Sequence, residues 1–169
     1  MLISLLLFAL TLAGKPQSDC RIRRIVDGDT FYCADGRKVR LIGIDSPELA
    51  QGESGRDARD ALQELMPLGR SVRLESDAAP RDRYGRTLAW AWSGGRLVNE
   101  AMVRGGWAVL FTVPPNVKYV ERVERAQKAA RASGAGLWSR GGFECLPSDY
   151  RRNACPRSPR LPGGPAAGP

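Results

Sequence analysis

The residues VDGDTF at positions 26–31 and VRLIGIDSPE at positions 39–48 decide the fold of this chain. Two short runs of β-branched and apolar residues meet at an Asp-Gly turn, a strong short-range signal for a β-hairpin. Charged residues stand inside and at the ends of these runs, where burial is costly unless the charge is paired or used. Such a conflict between local pattern and burial is expected at a functional site.

Each of these features has a simpler explanation when it stands alone. An isolated Asp-Gly pair is usually only a turn, and two loop aspartates usually cap or form turns. Arg40 could be an edge-strand arginine with its guanidinium group in water. The features occur together, however, and DRYGR at positions 82–86 places a further arginine on a glycine-containing turn. The combination favours a functional site.

These motifs together resemble the staphylococcal nuclease family. The matching stretches are DGDT at 27–30, R-x4-DSPE at 40–48, DRYGR at 82–86, VNEAMVRGG at 98–106 and GLWS at 136–139. They cover roughly residues 21–140 in family order, which makes the resemblance specific. It implies an α+β fold, a five-stranded OB-type β-barrel with about three packed helices. It also implies a calcium-dependent phosphodiesterase that acts on DNA and RNA and leaves 3′-phosphate products.

Composition agrees with this class of protein and excludes others. A chain of 169 residues is long enough for one domain with appendages. The net charge of +8 favours a polyanionic partner, although a solvated basic surface is the alternative. The chain has no histidine, which excludes Ser-His-Asp triads, histidine bases and histidine-bound metals. A hydrolase of this composition is expected to use a carboxylate base and an oxygen-bound cation.

The two ends of the chain differ from its middle. Residues 1–19 are predicted to be a signal peptide with a short polar lead-in, because the apolar run at 1–12 is too short to span a bilayer comfortably. No basic residue precedes that run, so an uncleaved membrane tether is the alternative to a secreted or periplasmic protein. Residues 20–140 form the predicted nuclease-like domain. Residues 141–169 are a cysteine-containing tail rich in Gly, Pro and Arg, and its end is expected to be disordered.

The secondary structure follows from periodicity and turn signals. Arg40 and Asp45 differ in parity, so a strand that serves one site with both residues must bend or end near Gly43. Asn99 is expected to cap a short helix. Strands are predicted at 21–26, 30–34, 38–44, 70–75 and 87–92, the fifth barrel strand at 107–113, and helices at 54–66, 99–104 and 118–132.

Four cysteines stand in two pairs along the chain, at Cys20, Cys33, Cys145 and Cys155. With a signal peptide, an even number favours disulfides. Of the three possible pairings, Cys20–Cys33 with Cys145–Cys155 is preferred. A cysteine-bound zinc ion is a weaker alternative, because no Cys-x2-Cys spacing occurs.

The resemblance also implies a role for each residue of the site. The roles are cation ligands, a carboxylate behind them, two phosphate-binding catalytic arginines, a general base and substrate contacts. The cation ligands are Asp29, Asp45 and the carbonyl of Ser46, and Asp27 is the carboxylate behind them. The catalytic arginines are Arg40 and Arg86, and the general base is Glu48. The substrate contacts are Arg83 and Tyr84.

Two features depart from the family pattern. The segment 111–115 contains no tyrosine, where the family places a pair, so stacking on the nucleotide is expected to be weaker. Residues 49–53 are fewer than in the family and include no lysine. The alternative function is a non-catalytic OB module that binds single-stranded nucleic acid. No membrane span is expected after cleavage of the signal, and a monomer is the expectation.

Overall fold

The computed structural model describes residues 17–155, and most of its strands form a closed barrel. The strands assigned in this range are β1 (Gln17–Ile25), β2 (Thr30–Cys33), β3 (Lys38–Leu41), β4 (Gly43–Asp45), β5 (Ser71–Glu75), β6 (Thr87–Ser93), β7 (Arg96–Leu97) and β8 (Val109–Phe111). The main sheet has the order β3-β2-β1-β5-β6-β7, and it closes because β3 also pairs with β6 in parallel.

Helices pack around this barrel. They are α1 (Glu53–Leu65), α2 (Val98–Arg104), α3 (Val120–Ser133) and the short α4 (Pro147–Arg151), with 3₁₀ segments at Leu49–Gln51 and Gly136–Arg140. Ala58 and Leu62 of α1 and Val123 and Ala126 of α3 are buried, at the helical spacing expected for faces turned to a core. The predicted fold class, a five-stranded OB-type barrel with three packed helices, is confirmed.

Strand β3 carries both the core and the site. Val39 and Leu41 are fully buried, whereas Lys38 and Arg40, which alternate with them along the strand, are only partly buried. Successive side chains of a strand point to opposite faces, so this alternation places Arg40 on the outer face of the barrel. An arginine within an apolar strand is therefore accommodated without entering the core.

Gly43 produces the bend that the sequence predicts. Its φ of 77° lies in the left-handed region, and a Cβ there would stand 2.5 Å from Cη2 of Trp90. The chain leaves β3 at Leu41, and β4 then pairs antiparallel with β8. The prediction that 107–113 supplies the fifth barrel strand is therefore wrong. All five barrel strands precede residue 94, and β8 lies in a separate two-stranded sheet with β4.

Asn99 does not cap α2. It lies inside the helix and is fully buried, and its Oδ1 accepts a hydrogen bond from the backbone N–H of Ala91 at 2.9 Å. Its Nδ2 donates to the carbonyl of Ile42 at 2.8 Å. The side chain thus ties β6 to the bend between β3 and β4, and the predicted capping role is wrong because tertiary partners outcompete the local one.

Both preferred disulfides are present. Cys20 pairs with Cys33 across β1 and β2, with a Cα–Cα distance of 5.3 Å, and Cys145 pairs with Cys155, with a Cα–Cα distance of 5.0 Å. Residues beyond 140 are folded against the barrel as far as the structure describes them. Phe143 is buried in a small apolar cluster with Val109 and Leu137.

Strand β1 begins earlier than predicted, because residues from Gln17 onward pair with β5. The apolar run and cleavage site of the predicted signal peptide, and the end of the tail from 156 to 169, lie outside the described residues. Within residues 17–155, no helix combines the length and the apolar character that a membrane crossing requires.

Candidate active site

Arg40 bridges two buried carboxylates at the centre of the site. Its Nη1 lies 2.9 Å from Oδ2 of Asp29, and its Nη2 lies 3.0 Å from Oδ1 of Asp45. These carboxyl groups are only 5% and 1% exposed. The planar fork of a guanidinium group can hold two acceptors at once, which a lysine ammonium cannot do with the same geometry. The sequence requires a bend or a strand end near Gly43 if Arg40 and Asp45 are to serve one site, and the two side chains are in contact in the structure.

The DGDT turn places Asp29 against the segment that follows β4. Oδ2 of Asp29 accepts hydrogen bonds from the backbone N–H of Ser46 at 2.8 Å and from its hydroxyl at 3.0 Å. Its Oδ1 accepts one from the hydroxyl of Thr30 at 2.9 Å. A Cβ on Gly28 would lie 2.7 Å from the Cβ of Ser46, so only glycine permits this close approach.

The carboxylates are short of positive charge. Burial, followed by the negative charge of Asp29, raises the pKa of Asp27 to about 7. Burial also raises the pKa of Asp45, although Arg151 and Arg40 act in the opposite direction. Burial is the main cause of both pKa shifts. Independently, four carboxylates lie beside only two guanidinium groups among the described contacts: Asp27, Asp29, Asp45 and Glu48 against Arg40 and Arg151.

This surplus and the donor chemistry suit a hard divalent cation. Asp29 and Asp45 offer buried carboxylate oxygens, and the backbone carbonyl of Ser46 lies in the same segment. Calcium prefers such oxygen ligands and tolerates irregular geometry. In the range 17–155, no group of three or more acidic or cysteine side chains is arranged around one point as a complete metal site. A cation here would therefore need backbone and water oxygens to complete its coordination.

The turn at 82–86 holds the second predicted arginine. Nε of Arg86 donates to Oδ2 of Asp82 at 2.7 Å, and Oδ1 of Asp82 accepts from the backbone N–H groups of Tyr84 and Arg86 at 3.0 Å. The guanidinium carbon of Arg83 lies 4.8 Å from the centroid of the Tyr84 ring, which is 68% exposed. Arg86 is thus held by its own turn and has no hydrogen bond to Asp29 or Asp45 among the described contacts.

One cleft of about 1040 Å³ unites the two parts. Seven of the predicted site residues line it, whereas Asp45 and Ser46 are buried at 1% and 2% exposure. An apolar wall that includes Phe111 and Val113 takes the place where the family carries tyrosines. The seven predicted residues that line the cleft are Asp27, Asp29, Arg40, Glu48, Arg83, Tyr84 and Arg86.

Comparison with known proteins agrees with this geometry. The model of the family described as staphylococcal nuclease homologue matches residues 38–140. The chain belongs to this family. It is 36% identical over 136 residues to a thermonuclease of Staphylococcus hyicus, which covers 76% of this chain and 80% of that protein. A thermonuclease of Staphylococcus intermedius is 38% identical over 127 residues, covering 70% and 75%. Endonuclease YncB of Bacillus subtilis is 32% identical over 148 residues, covering 78% and 70%.

This staphylococcal nuclease homologue also carries a site residue that the motifs did not indicate. Arg151, at the end of α4 and beyond the matched range, donates from Nη2 to Oδ2 of Asp45 at 2.8 Å. Its Nη1 donates to Oδ1 of Asp45 at 3.1 Å and to Oε1 of Glu48 at 2.8 Å. The spacing of Cys145 and Cys155 suggested a closed loop, but no local pattern indicates where that loop docks. Asp82, which binds Arg86, differs from Arg151 in this respect, because it lies in the same DRYGR motif as its partner, four residues before it.

Proposed function

We propose that this protein is a secreted, calcium-dependent nuclease that hydrolyses phosphodiester bonds of DNA, RNA or both and leaves 3′-phosphate products. The observation that carries this proposal is the Arg40 fork between two buried carboxylates in a cleft that also contains Glu48 and Arg86. The relatives named thermonuclease and endonuclease support the reaction class. The two disulfides are compatible with export to an oxidising compartment.

The arginines neutralise the phosphate. Arg40 is already oriented by its two carboxylates, so little freedom is lost when a phosphate oxygen arrives. Arg86 approaches from the turn at 82–86, and its side chain is 28% exposed. It exchanges part of its contact with Asp82 for a second phosphate oxygen. Charge then accumulates on the pentacoordinate phosphorus between two fixed guanidinium groups, which stabilises the transition state.

Glu48 and the carboxylate cluster supply the nucleophile. Asp29, Asp45 and the carbonyl of Ser46 would hold calcium, with Asp27 orienting the backbone of Asp29 from behind. When bound, calcium supplies positive charge next to the phosphate and a position for water. Glu48 accepts a proton from the attacking water, whose oxygen forms the new bond to phosphorus. The bond from phosphorus to the 5′ oxygen breaks, and that oxygen leaves with the bonding electron pair and takes up a proton from solvent to become a 5′ hydroxyl. The phosphate therefore remains on the 3′ oxygen of the other product.

The substrate strand lies along the basic turn and the apolar wall. Tyr84 is a more exposed aromatic ring on this path than Phe111, and Arg83 stacks on it and adds a positive charge. Phe111 and Val113, which are 39% and 56% exposed, offer apolar contact in the place of the missing tyrosines. The partner is therefore a nucleic acid held chiefly through its phosphates.

Labelled DNA and RNA test the proposal. Purified protein should cleave with calcium and stop when a chelator is added, and fresh calcium should restore cleavage. Magnesium alone should support less activity, because its octahedral demand suits this cluster poorly. The products should resist extension by a polymerase until a phosphatase removes their 3′-phosphate. Binding without cleavage in every condition would instead identify a non-catalytic OB module. Full activity in excess chelator would remove the calcium assignment.

A further inference from the structure

The C-terminal segment 141–155 is attached to the barrel next to the site. Tyr150 donates from its hydroxyl to the carbonyl of Ala50 at 3.1 Å, and Gln51 donates from Nε2 to the carbonyl of Cys145 at 3.2 Å. Both barrel partners follow directly after Glu48 in the chain. The segment therefore docks on the loop that carries the proposed base, and the Cys145–Cys155 disulfide closes it there.

Arg151 is the charged group that this attachment delivers. It binds both oxygens of Asp45, a carboxylate that is only 1% exposed, and its Nη1 also reaches Glu48. Arg40 holds the same Oδ1 of Asp45 at 3.0 Å. Both oxygens of Asp45 thus have guanidinium donors, and Arg151 provides the contact to Oδ2. A cation that uses Asp45 as a ligand must take the place of at least one of these donors.

The two arginines differ in how easily they can be displaced. The side chain of Arg40 is 13% exposed, lies on a barrel strand and is also bound by Asp29. The side chain of Arg151 is 40% exposed and lies at the end of a five-residue helix. A solvent-exposed guanidinium group recovers its hydration when it leaves a partner, so Arg151 is the donor that gives way.

We propose that Arg151 is the resident counter-ion of Asp45 and Glu48, and that it determines how much cation the nuclease requires. Its guanidinium group occupies the carboxylates until a divalent cation displaces it. The disulfide keeps the displaced group close by, at a high effective concentration, so that it competes continuously. This inference rests on the proposed function, because it concerns the same carboxylates and the same cation.

The test compares Arg151→Gln with Arg152→Gln by calorimetric titration of calcium into protein without nucleic acid. Both changes remove one positive charge from the end of α4. Arg152 contacts only Asp149, at 2.6 Å, among the described ion pairs, and its side chain is 69% exposed. Removing a charge in direct contact with the cation site should tighten calcium binding by about fivefold or more, whereas removing the exposed neighbour should change it less than about twofold.

A second variant tests the role of the loop. Replacing both Cys145 and Cys155 by serine keeps the arginine at position 151. Without the disulfide, however, its effective concentration at the site is lower. Calcium binding should then tighten in the same direction, by about twofold or more. Circular dichroism and the thermal midpoint show whether each variant keeps the barrel.

The outcomes separate this inference from the proposed function. If the parent protein binds calcium and Arg151→Gln binds it equally or more weakly, Arg151 only anchors the tail and the inference is wrong, while the nuclease proposal stands. If the tightening appears equally in Arg152→Gln, general electrostatics explains it and the inference is also wrong. If neither the parent nor any variant binds calcium, both proposals fail together.

Discussion

Arg40 and Arg151 bind the same carboxylate, that of Asp45, but they reach it from two very different parts of the molecule. Arg40 comes from barrel strand β3 and is held by a second buried acid. Arg151 comes from a short helix on a disulfide-closed loop and is much more exposed. The barrel thus provides a fixed arginine and the C-terminal segment a displaceable one.

This difference divides the site into two parts. The carboxylates and Arg40 contribute to the stability of the fold, whereas Arg151 is the part that we propose to control cation binding. The carboxylates and Arg40 are mutually dependent, because Arg40 pairs with buried Asp29 and is the partner that the barrel itself provides for Asp45. Arg151 adds a second guanidinium group to Asp45 and supplies the hydrogen bond to its Oδ2, so it completes an arrangement whose other contacts come from the barrel. Four experiments can break or sharpen this contrast, and they run from the largest expected effect to the smallest.

Arg40→Met should give the largest effect. The change keeps a side chain of similar length but leaves Asp29 and Asp45 buried without their shared partner, which should cost about 3 kcal/mol of unfolding free energy. Turnover should fall below detection. Urea denaturation in the presence of a chelator measures the loss. Arg151→Met is the matched comparison and should cost about 1 kcal/mol or less, because the Arg151 side chain is 40% exposed and Asp45 keeps its ion pair with Arg40.

Equal losses for the two variants would contradict the contrast between a fixed and a displaceable arginine. Calcium offers a further check, since a divalent cation can replace part of the missing positive charge. It should restore more stability to Arg40→Met than to the parent protein.

Glu48→Gln should come next, because it affects the reaction and not the fold. The amide oxygen can still accept a hydrogen bond from Arg151, but glutamine cannot take a proton near neutral pH. Turnover should fall by about 10²-fold or more, with KM and unfolding free energy close to those of the parent. Initial rates on labelled DNA across substrate concentrations measure this split. Cleavage at the parental rate would show that Glu48 is not the base.

The sequence predicted the barrel side of the site well. Three features of this part have local physical causes: the alternation around Arg40, the bend at Gly43 and the DGDT turn. Each can therefore be read from a short stretch of sequence, and the structure contains all three. Apolar periodicity also located the helices. These features need no knowledge of what packs against what.

The features that failed depend on distant partners. The run at 107–113 reads correctly as a strand, but nothing in its composition shows that β8 pairs with β4 outside the barrel. Asn99 has the residue type of a cap, yet its partners are on β6 and at Ile42. Arg151 belongs to a Gly-, Pro- and Arg-rich tail without periodicity. Its role depends on where the C-terminal loop docks, and only the tertiary structure shows that position.

Asp27→Asn tests the acid on the barrel side whose pKa is raised by burial and by the negative charge of Asp29. The pKa of Asp27 is raised to about 7 from an ordinary 3.8, so the folded protein binds this proton more tightly than the unfolded chain does. The resulting stability is fully present below about pH 3.8 and is lost as the pH rises through about 7. The parent should therefore lose unfolding free energy between pH 5 and pH 8.

In Asp27→Asn this pH dependence should be weaker. The asparagine oxygen can still accept the hydrogen bond from the N–H of Asp29, so the turn is preserved. At pH 8 the variant should be more stable than the parent by about 2 kcal/mol, and at pH 5 the difference should shrink. Urea titrations at both pH values, without calcium, measure this. Parallel pH profiles for the two proteins would mean that folding does not raise the pKa of Asp27.

Replacing both Cys145 and Cys155 by serine should have the smallest effect on stability. The entropy model assigns about 2.7 kcal/mol to closing a loop of this length, and a similar value to Cys20–Cys33. The full amount appears in the unfolding of the barrel only if loop and barrel unfold together. Cys20 and Cys33 are buried on adjacent barrel strands, whereas the segment 141–155 contributes mainly Phe143 to a small cluster at the periphery.

We therefore expect the serine pair at 145 and 155 to lower the unfolding free energy of the barrel by less than about 0.5 kcal/mol, because the loop opens before the barrel does. Tryptophan fluorescence can separate the two events, since Trp138 packs against Phe143 while Trp90 lies in the barrel core. A single transition shifted by the full value of the disulfide would show that the C-terminal segment folds as part of the barrel. In that case Arg151 would be as fixed as Arg40.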